Sequence, residues 1–221
     1  MRTFTLLSSL STVTALQIPV QRTRPDDAFV VPKDFVGFGI ESAFLNNFAN
    51  EFSENLVSSL ASRMSLPPIL RIGGTSGDYF LFNPDQEADK VCLTEFGGCP
   101  NGHDATYVLG PSYFDGYTRF KDANMIIQAP LGNPVNTSNT LAYVWQAWEN
   151  LGHGDRVAAI ALGNEVEFIY NTTADDYVDA ALEIQESILA NLSLSGDASR
   201  IFEAGNTASG TITGNGNLYT V

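Results

Sequence analysis

A chain of 221 residues that is 44% hydrophobic and 16% charged has enough apolar material for one folded core, which excludes disorder as its overall state. Its eleven Lys and Arg face twenty-five Asp and Glu, a formal charge of −14. A field of that sign repels nucleic acid and sulfated polyanions.

The chain opens Met1-Arg2-Thr3, followed by an apolar stretch from Phe4 to Leu16 broken only by Ser and Thr, with Val13-Thr14-Ala15 supplying small residues for cleavage. This reads as a secretory signal over residues 1–15, too short to span a membrane, and no later stretch reads as membrane-spanning. The expected location is therefore extracellular. Asn136-Thr137-Ser138, Asn171-Thr172-Thr173 and Asn191-Leu192-Ser193 fit the acceptor pattern for N-glycosylation. Cys92 and Cys99 flank Gly97-Gly98, and in an oxidising compartment they are spaced to close one short disulfide loop; two free thiols are the alternative.

Residues 16–34 read as an extended, Pro-interrupted lead-in, and residues 35–221 as the folded domain. Phe35 to Glu41 is predicted to be a strand ending in an acid. Phe44, Leu45, Phe48, Phe52, Leu56, Val57 and Leu60 recur at helical spacing over 44–62, and Pro67-Pro68 ends that segment. Ile69 to Ile72 is a second strand, closing in Gly73-Gly74-Thr75-Ser76-Gly77-Asp78. A long Gly- and Asp-rich loop is predicted over 83–110, and a helix over 112–121. Met125 to Gln128 is a third strand, Leu141, Val144, Trp145 and Trp148 mark a helix face, and Val157 to Leu162 is a fourth strand leading into Gly163-Asn164-Glu165. Thr173 as N-cap starts a helix running to about Leu192, and Ile201 to Ala204 is a fifth strand.

Strand and helix alternate, the pattern of a parallel α/β fold. Glu41, the Thr75–Asp78 stretch and Asn164-Glu165 all follow strand ends, which suits the active-site face of a (β/α)8 barrel and equally the ligand edge of a doubly wound sheet. Two carboxylates facing each other across a sugar split a glycosidic bond, one protonating the leaving oxygen while the other attacks or activates water. Glu165 suits the proton donor, and Asn164 a hydrogen bond to the 2-hydroxyl. A cap of the next helix or an Arg pair is the plainer alternative for a bare Asn-Glu dipeptide.

Other chemistries fit less well. Gly37-Phe38-Gly39-Ile40-Glu41-Ser42 lacks the third glycine of a dinucleotide site, and no Gly-x-Ser-x-Gly occurs. His103 and His153 sit in separate polar loops and read as surface residues, so neither a metal nor a cofactor is expected.

In order and spacing, "FVGFGIESAFL" (35–45), "ILRIGGTSGDYFLFNPD" (69–85) and "ALGNEVEFI" (161–169) resemble the heparanases and β-glucuronidases of glycoside hydrolase family 79, particularly its fungal members. The resemblance covers about residues 30–205. It implies a retaining hydrolase on a (β/α)8 TIM barrel with a small β-sandwich, of which this chain is the N-terminal half, about five βα units, lacking the C-terminal half and the sandwich. Glu165 takes the place of the general acid/base with Asn164 beside it, Glu41 that of an acid binding sugar hydroxyls, and Thr75 that of a hydroxyl in the same subsite. Asp78 and Arg71 match the motif and are expected to shape the substrate pocket. Where members often have Pro after the acid, this chain has Val166-Glu167, and Glu167 is expected to be a solvated or paired loop acid. The nucleophile is expected on a seventh strand, about 90 or more residues past Glu165, beyond Val221 unless Glu203 serves. The expected substrate is a lightly charged glycan capped by glucuronic acid, with this chain a truncated form; the alternative is a carbohydrate-binding relic without catalysis.

Overall fold

In the computed structural model of the chain, the described residues are 35–93, 106–132, 135–166 and 174–206, with a few positions between 23 and 33. Met1–Val31 and Pro32–Val221 are separate compact units, and every element below belongs to the second.

Five parallel strands form the main sheet: β1 (Gly37–Glu41), β2 (Ile69–Gly73), β6 (Asn124–Ala129), β7 (Val157–Leu162) and β8 (Phe202–Glu203), side by side in that order. Each central strand is a nearly continuous apolar run. A parallel sheet covered on both faces needs that, because alternate side chains point into different buried layers. Leu70, Ile72, Met125, Ile127, Ile160 and Leu162 are all buried. The strand ends stay level, Glu41 pairing with Gly73 and Ala129 with Leu162, so the loops that follow them gather along one edge.

Helices join the strands. The segment expected as one helix over 44–62 is broken: a 3-10 turn (Ser42–Phe44) and α1 (Leu45–Phe48) precede α2 (Glu51–Ala61). Asn50 makes the break, since its side chain accepts the Ser53 N–H and caps a new helix whose first turn holds Glu51 and Glu54. The helix expected over 112–121 is likewise split into a 3-10 turn (Pro111–Phe114) and α3 (Asp115–Arg119). α4 (Thr137–Asn150) is capped by Asn136, and α5 (Ala174–Asn191) follows β7.

The stretch expected to be a loop over 83–110 holds much of a second, three-stranded sheet: β3 (Phe80–Phe82), β4 (Lys90–Cys92) and β5 (Tyr107–Leu109), with β5 parallel to β3 and antiparallel to β4. Strands of three residues are too short to show alternation in sequence. A group of edge-to-face rings ties this insertion to the main body: Phe80 meets Tyr113 at 5.8 Å, and Phe82 meets Phe114 at 5.5 Å. The Tyr113 hydroxyl donates to the carbonyl of Ser42 at 2.9 Å, fixing the chain just past β1. Cys92 is disulfide-bonded, while Cys99 lies outside the described residues.

Among the described residues no helix is long and apolar enough to cross a membrane.

Candidate active site

The edge where the strands end collects the residues singled out in sequence. Arg71 and the two glycines after it explain why the motif reads Arg-x-Gly-Gly-Thr. The Arg71 guanidinium folds over Gly73, where an added Cβ would lie 2.8 Å from both its Cζ and the Gln128 Oε1. The Glu41 carboxylate lies over Gly74, where a Cβ would come within 1.9 Å of Oε2. Gly74 also holds φ +106, a conformation that penalises any side chain. Two bare backbone positions therefore let an Arg and a Glu from neighbouring strands close onto the same turn.

Glu41 accepts hydrogen bonds from both the backbone N–H and the hydroxyl of Ser76, and the Ser76 oxygen in turn accepts the Ala43 N–H at 3.0 Å. One residue before Ser76, Thr75 donates its hydroxyl to Glu165 Oε2 at 3.2 Å. Glu41 and Glu165, carried by β1 and by the turn after β7, thus meet consecutive residues of the turn after β2. Glu165 is half-buried, and neither ion pair among the described residues, Arg119–Glu54 nor Arg200–Asp197, involves it.

The turn that carries Glu165 is sharply wound. Gly163 has φ +78, and Glu165 itself has φ +45, a region that a non-glycine residue occupies at a cost of about 1–3 kcal/mol. The surroundings hold it there. Asp78 Oδ2 accepts the Asn164 N–H at 3.0 Å, Val166 N–H reaches the Asn206 carbonyl at 3.3 Å, and Asn206 Nδ2 reaches the Gly163 carbonyl at 3.4 Å. Tyr177 on α5 donates to the Leu162 carbonyl at 3.0 Å and accepts the Gly205 N–H at 2.7 Å.

Arg71 also orients Asn164, donating from Nη2 to Oδ1 at 3.0 Å. A guanidinium only donates, so it selects the carbonyl end of the amide and leaves Nδ2 as the donor end.

Asp78, expected to shape the substrate pocket, is instead buried among the strand ends. It is 2% exposed, its Oδ1 accepts the Leu131 N–H at 3.2 Å, and its Oδ2 is taken by Asn164, so one carboxyl joins the ends of β2, β6 and β7. Burial pushes its pKa up to about 7, against the opposing pull of these N–H groups, Gln128 and Arg71.

Gln128, Tyr177 and Asn206 were not proposed as site residues from sequence, yet each braces this edge, as does Ser76 within the Thr75–Asp78 stretch. Gln128, which accepts the Gly74 N–H at 2.8 Å, did leave a signal as the polar residue closing the apolar run Met125-Ile126-Ile127. Glu203 pairs with Ala161 inside the sheet, not past its end. Glu167, His103 and Asn171 lie outside the described residues, whereas Asn136 and Asn191 are exposed. A separate cavity bounded by Ser58, Leu66, Lys121 and Arg156 sits at the opposite, N-terminal ends of the strands. No group of three or more His, Cys, Asp and Glu among the described residues is placed to hold a metal ion.

No protein-family model matches the chain. It is 30% identical over 184 residues to a β-glucuronidase of Aspergillus niger, and 30% identical over 172 residues to a β-glucuronidase of Neurospora crassa. Each match takes in 73% of this chain but only 33% and 30% of the relative, so the chain spans about a third of their length. Among solved structures it is similar to a 4-O-α-L-rhamnosyl-β-D-glucuronidase from Fusarium oxysporum in complex with Rha-GlcA. The TM-score there is 0.61 at 22% identity, covering 75% of this chain and 37% of that one. This likeness decides the fold question that periodicity left open, in favour of part of a (β/α)8 barrel over a doubly wound sheet. The resemblance carried by Phe35–Leu45, Ile69–Asp85 and Ala161–Ile169 holds as likeness: over about three quarters of its length this chain is similar to β-glucuronidases of Aspergillus niger and Neurospora crassa.

Proposed function

We propose that this chain carries the acid/base side of a retaining β-glucuronidase site acting outside the cell on glycans that end in glucuronic acid. The observation that carries this reading is the Thr75 hydroxyl on Glu165 Oε2, with the Glu41 carboxylate seated on the adjacent Gly74.

In this reading Glu165 protonates the glycosidic oxygen as the bond to the leaving sugar breaks, and afterwards takes the proton from the incoming water. Thr75 holds the carboxyl in place. Asn164, its Oδ1 occupied by Arg71, turns Nδ2 toward the sugar's 2-hydroxyl, while Glu41 binds hydroxyls on the far side of the same turn. The attacking carboxylate comes from the remaining two-thirds of length that the relatives have, as the second strand-end acid a double displacement needs about 5.5 Å from the first. Chemistry of the Fusarium neighbour's complexed disaccharide, which contains glucuronic acid, supports the substrate class. The charge of −14 argues against heavily sulfated chains.

Export and N-glycosylation belong to the same proposal, resting on the apolar Phe4–Leu16 stretch and the acceptor patterns. The purified chain is expected to bind glucuronic acid in preference to glucose, with Asn164→Ala and Glu41→Gln each weakening binding, and to release no glucuronic acid from an aryl glucuronide. Release at rates of the full-length relatives would overturn the split site. Binding that survives in a chimera with the remaining length of a relative, without any turnover, would identify a carbohydrate-binding relic.

A further inference from the structure

Ser138, Leu141, Ala142 and Trp145 line a groove of about 520 Å³ along the outer face of α4, and Asn191, the last residue of α5, forms its other wall. Trp145 is 40% exposed there, although its neighbours Tyr143 and Val144 are fully inside. A single exposed aromatic is ordinary. This one shares its groove with the acceptor residue of the Asn191-Leu192-Ser193 pattern, and the groove also takes in Ser138, the hydroxyl residue of Asn136-Thr137-Ser138.

The backbone presents Asn191 outward. α5 ends at that residue, Leu192 turns in to 9% exposure, and Ser193 adopts φ +55, while Leu194 N–H returns to the Leu189 carbonyl at 3.0 Å. The chain leaves the helix by a left-handed turn, and the asparagine stays on the rim.

We propose that Asn191 carries an N-linked glycan whose first sugar lies in this groove with its C–H face on the indole of Trp145. The donor is a polyprenyl-diphosphate-linked oligosaccharide of the secretory pathway. The bond from Nδ2 to the anomeric carbon forms as the bond from that carbon to the diphosphate oxygen breaks; the diphosphate leaves with the electron pair, and Nδ2 gives up one proton. No linker separates Asn191 from the groove, so the attached sugar meets the ring without ordering a long chain. The amphipathic faces match: an indole accepts the apolar C–H side of a sugar, while Ser138 at the rim offers a hydroxyl to its edge.

The test uses the full chain secreted by a fungal host behind a host leader, so that its outcome does not depend on the hydrolase reading or on the chain's own first residues. Peptide mapping should find Asn191 occupied. Hydroxyl-radical footprinting of the glycosylated chain and of Ser193→Ala should then show Trp145 oxidised at least threefold faster in the variant, with Trp148 as the internal reference and Asn191→Gln as a second unglycosylated form. Equal labelling of Trp145 in the forms, or an unmodified Asn191, overturns the proposal.

Discussion

Thr75 and Glu165 are separated by 90 positions in the chain and joined by one hydrogen bond of 3.2 Å. That contact spans the mouth of the sheet, from the turn after β2 to the turn after β7, with the end of β6 between them. It sets the direction of the Glu165 carboxyl. In a chimera that completes the barrel with the rest of the Aspergillus niger relative, Thr75→Val is expected to lower kcat about tenfold while changing stability by only about 1 kcal/mol, the net worth of one such bond. Thr75→Ser should retain most of the rate. Steady-state kinetics and urea unfolding of the three proteins check both halves of this expectation.

Gly74 is where backbone freedom and close approach coincide. Gly74→Ala places a methyl 1.9 Å from Glu41 Oε2 on a backbone at φ +106, so it must displace the carboxylate or the turn. A loss of roughly 2 kcal/mol or more is expected. Ala at Gly39, whose added Cβ meets nothing within 4 Å, is the control and should cost far less. Thermal unfolding compares them directly.

Asp78 makes stability depend on pH. Its pKa rises from 3.8 to about 7 on folding because burial disfavours the charge, so between those values the folded state binds the proton that the unfolded state has lost. Its contribution is fully present below about pH 4 and is lost as pH rises through about 7, a change on the order of a few kcal/mol. Asp78→Asn should remove this part of the slope. Urea midpoints measured from pH 4 to 8 give the answer.

Much of this edge was legible because its chemistry and its spacing coincide. An apolar run ending in Gly163-Asn164-Glu165 reads as a buried strand with an acid at its mouth, and the glycines after Arg71 mark a place where side chains crowd. What escaped was set by contacts between distant segments. Nothing local announces that Glu165 takes φ +45, since Asp78, Asn206 and Tyr177 impose the turn from three other elements. Asp78 itself looked like a pocket residue because sequence carries no information on which way a carboxyl faces. The break at Asn50 was readable, with a capping side chain before two acids, but the apolar spacing on either side ran through it without interruption. β3, β4 and β5 were hidden by length alone.

Among the described residues β1 and β8 are the edge strands of the main sheet, and the β1 side is apolar. Phe38, Phe48, Phe52 and Leu56 are all more than half exposed, the first of them on the edge strand itself. A 23.9 kDa chain expressed alone is expected to self-associate, eluting well above that mass with light-scattering detection, and Phe52→Ser with Leu56→Ser should shift it toward monomer. A monomeric wild-type chain would contradict this expectation of self-association.

The most direct measurement concerns Glu165 as proton donor. In the completed chimera, Glu165→Gln should lower kcat/KM on an aryl glucuronide with a poorly acidic phenol by roughly 10²–10⁴, the usual worth of a positioned acid. On a dinitrophenyl glucuronide, whose leaving group departs without a proton, the first step should be nearly unaffected. Equal losses on both substrates, or none on either, would contradict the assignment.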